Sequence, residues 1–150
     1  MTKKKVLHII NLGMNGNAVF LCNVLEQTNF SKYDITILNF FGKTADPHCQ
    51  EIGRTPYPHC SEPTQAWIYS VSKRIEQLLK TEKFDVVHSH MWDLTGIFLG
   101  YAKWYGVPVR VAHRHNSQKV VWDVITLSNS LFVTRWYGIF LKKAIELNAN

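Results

Sequence analysis

The fold is decided by residues 84–116, FDVVHSHMWDLTGIFLGYAKWYGVPVRVAHRHN, where two short apolar runs flank one amphipathic segment. The run from Phe84 to His88 is continuous and rich in valine, which is typical of a strand buried on both faces of a parallel sheet. Apolar side chains then recur at helical spacing, Gly106 fits the position just past a helix, and Pro108 prevents its continuation. Val107 to Ala112 predicts a second strand, so the stretch predicts a strand–helix–strand unit.

Two features of that helix can be predicted from its residue types. Asp93 is suited to cap its start, because a carboxylate accepts hydrogen bonds from the first free N–H groups of a helix. Gly96 and Gly100 lie four residues apart and therefore on one face. Since glycine has no side chain, we expect this face to approach the sheet closely.

The same alternation extends through the rest of the chain. Val6 to Ile10 and Tyr33 to Phe41 are apolar, β-branched or aromatic, and predict two more strands. Residues 42–61 are weakly patterned and predict a loop. Three further helices are predicted, around Phe20–Leu25, around Trp67–Leu79 after a cap at Ser61, and from Asn129 to Leu147. This order predicts an α/β fold, a Rossmann-like three-layer sandwich with a mostly parallel sheet, in one domain over residues 1–150.

Composition excludes several classes of protein. Of its 150 residues, 46% are apolar and 19% are charged, which excludes a disordered chain. The chain has only 8 glycines and 5 prolines, which excludes a collagen-like protein. Three cysteines, an odd number, argue against a disulfide framework. The apolar run after Lys3-Lys4-Lys5 is too short for a signal peptide, and no run is long enough to cross a membrane. We therefore expect a cytoplasmic protein.

The positive charge is concentrated in the last third of the chain. Residues 101–150 hold seven basic and two acidic side chains, whereas residues 1–100 hold ten and nine. Such a segment suits a phosphorylated ligand or the inner face of an anionic membrane, and it is equally compatible with a solvated surface. Nucleic-acid binding is not expected, because the aromatic residues follow helix and strand periodicity and are explained by core packing.

Two histidine pairs end neighbouring strands of the predicted sheet. They are His88-Ser89-His90 and His113-Arg114-His115, the latter followed by Asn116. Alternate residues of an extended chain face the same side, so each pair can converge on one ligand beyond the carboxyl ends of the strands. Histidine can exchange protons near neutral pH, bind hydroxyl groups or bind a metal. We expect no metal here, since neither pair has a cysteine beside it.

The turn after the first strand is the second candidate for ligand binding. It contains Gly13, Asn15, Gly16 and Asn17 and precedes a helix whose free N–H groups can bind a phosphate. It matches neither the dinucleotide fingerprint nor the P-loop, and a plain tight turn explains it equally well.

A repeated tripeptide offers a third, weaker candidate. Pro47-His48-Cys49 and Pro58-His59-Cys60 contain two histidines and two cysteines, the ligand set of a tetrahedral zinc site. Their spacing matches no usual zinc finger, and free thiols in a loop are the simpler interpretation.

Two stretches resemble the retaining glycosyltransferases of family 4, which have the GT-B fold. They are residues 4–27, KKVLHIINLGMNGNAVFLCNVLEQ, and residues 84–118, FDVVHSHMWDLTGIFLGYAKWYGVPVRVAHRHNSQ. Members typically show a D-[VI]-[VI]-H-x-H strand end, a helix, and a strand that ends in histidine. The ending R-[VI]-A-H-x-H-N is similar to capsular and exopolysaccharide transferases. The resemblance covers most of residues 3–120.

The resemblance implies an enzyme that moves a sugar from a nucleotide-sugar donor to a glycan or lipid-linked acceptor, without a further cofactor. The chain would be its N-terminal, acceptor-side domain, with the donor-binding domain outside this sequence. It implies that His115, or else His113, contacts the transferred sugar. It also implies that Gly13, Asn15, Gly16 and Asn17 line the donor phosphates, and that His88, His90, Arg114 and Asn116 lie on the acceptor side. The alternative is a flavodoxin-like module that binds a nucleotide or other ligand without catalysis.

Overall fold

The computed structural model describes residues 2–10, 15–39, 65–91, 94–113, 140 and 142–150, with side chains from Val19 onward in the first helix and from Ser72 onward in the second. The strands are β1 (Lys4–Ile10), β2 (Tyr33–Asn39), β3 (Val86–Ser89) and β4 (Val109–Ala112). The helices are α1 (Asn15–Glu26), α2 (Gln65–Thr81) and α3 (Thr95–Trp104). Residues 142–148 are also helical and are called the C-terminal helix.

The four strands form one parallel sheet in the order β2-β1-β3-β4. After β2 the chain crosses to the other side of β1, so the strand order reverses between β1 and β3. In doubly wound sheets this reversal opens a crevice at the carboxyl ends of the strands, where ligands bind. The architecture confirms the predicted α/β, Rossmann-like fold. The same order also occurs in flavodoxin-like sheets, so the strand order by itself does not decide between the two functions considered.

Residues of β1 alternate between two cores, one on each face of the sheet. Leu7 and Ile9 belong to the larger core, and Val6 and Ile10 belong to the smaller one. Helices α2 and α3 contribute Ile75, Leu78, Leu79, Phe98, Leu99 and Ala102 to the larger core, whereas α1 contributes Leu21 and Leu25 to the smaller. The molecule therefore has three layers, with α1 on one face of the sheet and α2 and α3 on the other.

The end of α3 follows its sequence signals. Gly106 has φ of 74°, a left-handed conformation that favours glycine. Its N–H donates to the carbonyl of Lys103 at 3.0 Å, and the Val107 N–H donates to the carbonyl of Ala102 at 2.9 Å. These two bonds form a Schellman motif, which satisfies carbonyls that the helix end would leave free.

The start of α3 differs from the prediction. Leu94 occupies the N-cap position and makes no side-chain cap bond. Asp93, the expected cap, lies outside the described residues, as do Ser61 and most of the predicted last helix.

Strands β3 and β4 each begin two residues later than the hydrophobic pattern predicts, at Val86 and Val109. Phe84 and Val107 are nonetheless buried in the larger core. The Val107 N–H is already used by the helix cap described above. A run of apolar residues indicates which residues are buried. Because burial extends beyond the residues that pair in the ladder, the run predicts a longer strand than the one that forms.

Gly96 faces the C-terminal helix, whereas the sequence predicted a close approach to the sheet. A Cβ atom at Gly96 would lie 2.7 Å from the Ile145 nitrogen and 2.8 Å from the Ala144 Cβ. The Asn148 side-chain amide donates to the Gly96 carbonyl at 3.1 Å. The prediction was wrong because helical periodicity groups residues on a face but does not identify what packs there. The buried Phe98, Leu99 and Ala102 occupy the face toward the sheet.

Two basic residues of the last third hold the chain terminus in place. The Lys103 ammonium donates to the Leu147 carbonyl at 2.8 Å, and the Arg110 guanidinium donates to the Asn148 carbonyl at 2.8 Å. Cations at a helix C-terminus interact favourably with its free carbonyls. Part of the excess positive charge is thus structural, a role that charge counting cannot distinguish from ligand binding.

Two further expectations can be compared with the structure. Cys22 on α1 is buried and disulfide-bonded. With three cysteines in the chain this can be only a single bond, which is not the disulfide framework that the odd count argued against. Among the described residues, no helix has the length and apolar character needed to cross a membrane.

We expect Gly96→Ala to lower the free energy of unfolding by about 1–3 kcal/mol, because the added methyl group overpacks a contact with helix backbone. Gly100→Ala is the matched control, since its Cβ would lie 3.3 Å from the Asn148 side-chain nitrogen, a contact with a side chain rather than with backbone. Its gain in helix propensity of up to about 1 kcal/mol is offset by displacing Asn148 from its hydrogen bond to Gly96, so we expect a smaller loss of stability than in Gly96→Ala. Urea denaturation measures both, and equal stability of the Gly96→Ala and Gly100→Ala variants would contradict the close packing.

Candidate functional site

The sheet aligns four histidines toward the carboxyl ends of three adjacent strands, β1, β3 and β4. His8 of β1 lies directly opposite His88 of β3 in the register. The His90 N–H donates to the Ile9 carbonyl at 2.8 Å, and the His113 N–H donates to the Ser89 carbonyl at 2.8 Å. These two bonds continue the ladder one residue beyond β3 and β4. The hydrogen bonds of the sheet therefore fix the backbone positions of all four histidines.

The four histidines lie on the α1 side of the sheet. His8 alternates with Leu7 and Ile9 and so shares the face of Val6 and Ile10, which pack against α1. From α1 itself, Phe20 contacts His113 edge-on with ring centroids 4.7 Å apart, and its ring lies 5.8 Å from that of His90. The first half of α1 therefore lies beside the histidines.

Short ring separations define a single group, called here the histidine cluster: His8, His88, His90 and His113. Ring centroids are 4.1 Å apart for His88 and His90, and 5.1 Å apart for His8 and His88. His113 lies 5.4 Å from His88, with the rings stacked, and 5.1 Å from His90. Nδ1 of His8 and Nε2 of His90 are 3.2 Å apart, within hydrogen-bonding distance.

The cluster has a buried side and a more accessible side. His8 and His90 are 5% and 1% exposed, whereas His88 and His113 are intermediate. Burial, with a smaller contribution from the charge of a protonated His88, lowers the pKa of His8 from 6.5 to about 3. His8 is therefore neutral at physiological pH, and a neutral imidazole has one nitrogen that donates and one that accepts.

A second polar pair fixes β3 from the opposite face. The hydroxyl groups of Ser89 and Thr95 are 2.9 Å apart and buried, and they join the end of β3 to the start of α3. A satisfied buried hydrogen bond restricts the geometry of the groups that it joins. It therefore helps to hold the strand end between His88 and His90.

The structure unites three of the predicted site residues, His88, His90 and His113. It places Asn15, Gly16 and Asn17 in the first turn of α1, so part of the predicted glycine turn is helical. The other predicted site residues lie outside the described residues: Gly13, Arg114, His115 and Asn116. The Pro-His-Cys repeats lie outside them as well.

Sequence reasoning missed two members of the site, His8 and Phe20. In the sequence His8 only interrupts the first apolar run, and the helical spacing of Phe20 predicts a core position. Neither pattern indicates a site residue. The signal that identifies His8 is its place on the same strand face as Val6 and Ile10, one strand away from His88. Using that signal requires knowing that β1 and β3 are neighbours.

Clustered imidazoles of this kind support three kinds of chemistry. Neutral rings can donate to and accept from sugar hydroxyl groups, and accessible rings can transfer protons. Neutral imidazole nitrogens also bind metal ions of the zinc class. The nearest candidate nucleophile in the sequence of the described strand end is Ser89, and its side chain lies on the opposite face of the sheet from the histidine cluster. The described geometry therefore does not favour nucleophilic catalysis.

Comparison with protein families decides the family. The model of Glycosyltransferase Family 4 matches residues 14–147, almost the whole chain. The chain belongs to glycosyltransferase family 4. The matched range includes α1, the strand ends of β3 and β4, and the C-terminal helix of this family 4 domain. A comparison with curated protein sequences gave no significant match.

The chain is also similar in structure to the C-terminal domain of a hydrogenase from Pyrococcus furiosus. The TM-score is 0.52 at 19% sequence identity, and the match covers 76% of this chain and 92% of that one. At so low an identity the similarity concerns the fold alone. It agrees with the α/β architecture of the family 4 domain.

The pH dependence of stability tests the burial of neutral His8. Above pH 6.5 His8 is neutral both folded and unfolded and adds no pH dependence. Between pH 6.5 and about 3 only the unfolded chain binds the proton at His8. As the pH is lowered through this range, His8 should therefore decrease the free energy of unfolding by about 1.4 kcal/mol per pH unit.

His8→Asn should remove this contribution and flatten the slope. Chemical denaturation of both proteins between pH 4 and 7.5, with EDTA present, measures the difference, because the other histidines are common to both. Equal slopes for the two proteins would show that His8 is not buried in its neutral form.

Proposed function

We propose that this chain is the acceptor-side domain of a retaining glycosyltransferase that acts in polysaccharide synthesis. Its substrates would be a nucleotide sugar and a glycan or lipid-linked acceptor, and the transferred sugar a hexose. The single observation that carries this proposal is the histidine cluster at the point where the strand order reverses, in a chain that belongs to family 4. A second domain would supply most contacts to the donor.

The histidine cluster suits recognition of a sugar. Sugar hydroxyl groups both donate and accept hydrogen bonds, and so does a neutral imidazole. His88 and His113 retain partial exposure, but Nε2 of His88 is itself buried, so we assign the contact with a ligand first to His113. His90 is 1% exposed and lies within hydrogen-bonding distance of His8, so we assign it to positioning the exposed rings rather than to contacting the acceptor.

The start of α1 suits the donor phosphates. Helix α1 begins at Asn15, and Phe20, one and a half turns later, contacts the histidine cluster. A helix N-terminus carries partial positive charge and free N–H groups, which favour phosphate. A phosphate near Gly13 and Gly16 would therefore lie close to a sugar held by the histidines.

The chemistry explains why such a pairing accelerates transfer. Sugar transfer passes through a state with positive charge on the sugar and growing negative charge on the leaving phosphate. Hydrogen-bond donors that the fold already holds near the phosphate stabilise that negative charge without having to reorient during the reaction. His113 or His115 would contact the transferred sugar, with Arg114 and Asn116 as polar neighbours on the acceptor side.

The location of the enzyme follows from its acceptor. A lipid-linked acceptor would be used at the inner face of a membrane, so we propose a cytoplasmic protein with peripheral membrane contact. Basic side chains near an anionic surface favour such contact. Lys142 and Lys143 on the C-terminal helix are exposed, and Lys143 forms a surface ion pair with Glu146 at 3.5 Å.

His113→Gln tests the proposed role in transfer. In the full-length protein, screened against nucleotide sugars with lipid-linked and glycan acceptors, we expect the variant to lower kcat by about a hundredfold or more with a smaller change in KM. His48→Gln, in a segment with no assigned role in transfer, is the control and should retain activity. The anomeric configuration of the product, read by NMR, should match that of the donor.

Three results would contradict the proposal. They are transfer to no acceptor with any nucleotide sugar, inversion at the anomeric carbon, and an unchanged kcat in both His113→Gln and His115→Gln.

A further inference from the structure

Three rings of the histidine cluster present their nitrogen atoms to one another. One ligand nitrogen each from His8, His88 and His90 can be chosen so that all lie within 4.8 Å of one another. In a tetrahedral zinc site with zinc–nitrogen bonds of about 2.0–2.1 Å, imidazole nitrogens lie about 3.3 Å apart. The His8–His90 pair is already at 3.2 Å. The His88 nitrogen lies within 4.8 Å of the other two and would have to move closer on metal binding.

We propose that His8, His88 and His90 form a binding site for one divalent transition-metal ion of the zinc class, at the carboxyl edge of the sheet. The site shares its histidines with the cluster on which the proposed function rests, but nothing in the transfer reaction above requires the ion. It also departs from the expectation of no metal, which considered His88 and His90 without the third ring from β1.

The backbone supports a preformed site. His8 and His88 are register partners on paired strands, and the His90 N–H is bound to Ile9 of β1. Two ligands therefore come from adjacent, hydrogen-bonded strands, and the third, His90, directly follows β3 and is held by a backbone bond to β1. Ligands on such elements are held more precisely than ligands on loops.

The chemistry of the ligands selects the metal. Histidine binds metal ions through the lone pair of a ring nitrogen, and each of the three histidines offers one such nitrogen. Imidazole suits zinc, copper, nickel and iron, whereas magnesium and calcium require oxygen ligands. The described group consists of histidines alone, so we expect it to discriminate against magnesium.

Three protein ligands leave one tetrahedral position open. Sites with three histidines commonly bind water or a ligand there, in contrast to closed structural sites with four protein ligands. His113 stacks on His88 at 5.4 Å on the more accessible side of the cluster.

Zinc titration of the full chain, followed by calorimetry, tests the proposal. We expect one zinc ion per chain, no binding of magnesium, and a tetrahedral absorption spectrum when cobalt replaces zinc. X-ray absorption of the zinc-loaded protein should show nitrogen or oxygen neighbours at about 2.0–2.1 Å and no sulfur at about 2.3 Å. Absence of zinc binding, or sulfur in the first coordination shell, would overturn the proposal.

Two matched variants locate the ion. His88→Gln removes a ligand that is only half-buried, and it should weaken zinc binding by more than the roughly 10- to 100-fold typical of losing an outer-shell partner. The double variant His48→Gln, His59→Gln removes the histidines of the Pro-His-Cys repeats and should bind zinc like the wild type. Circular dichroism confirms that each variant is folded.

The opposite pattern would assign the ion to the repeats and overturn the proposal. If His8→Asn does not fold, His88→Gln and the X-ray absorption spectrum still decide the outcome. None of these measurements depends on sugar transfer, so failure of the metal site and failure of the proposed function are distinguishable.

Discussion

The parallel pairing of β1 with β3 is the constraint on which the rest of the structure depends. It aligns Val6 to Ile9 with Val86 to Ser89, and it places β1 inside the sheet with β2 on its other side. Both faces of β1 are therefore covered, which is why its residues alternate between two cores. The same pairing creates the reversal of strand order and brings His8 next to His88.

That pairing forces a polar side chain into an apolar layer. Between Val6 and Ile10 the smaller core contains His8, which is almost fully buried and stays neutral because a buried charge is poorly solvated. Nδ1 of His8 lies within hydrogen-bonding distance of Nε2 of His90, at 3.2 Å. A polar group at a position where packing favours an apolar one is a common mark of a functional site, and here it lies where the fold opens its crevice.

The periphery is organised by a different interaction, the docking of the chain terminus on α3 and β4. Gly96 allows the C-terminal helix to come close, and Lys103 and Arg110 bind its terminal carbonyls. The sequence contains all three residues, and their types are informative. Their partners lie about forty to fifty residues away in the chain, so local patterns could not assign the glycine face to the helix or the basic charge to a structural role.

The sequence by itself determined the layer architecture and the end of α3, because apolar periodicity and a glycine before proline act within a few residues. It also identified His88, His90 and His113 as strand-end residues. Only the tertiary structure decided that His8 joins them, that Phe20 packs against them, and that His90 is buried while His88 is partly open. Those facts depend on which strands are neighbours and on their register, and the register is set by contacts between residues some eighty positions apart.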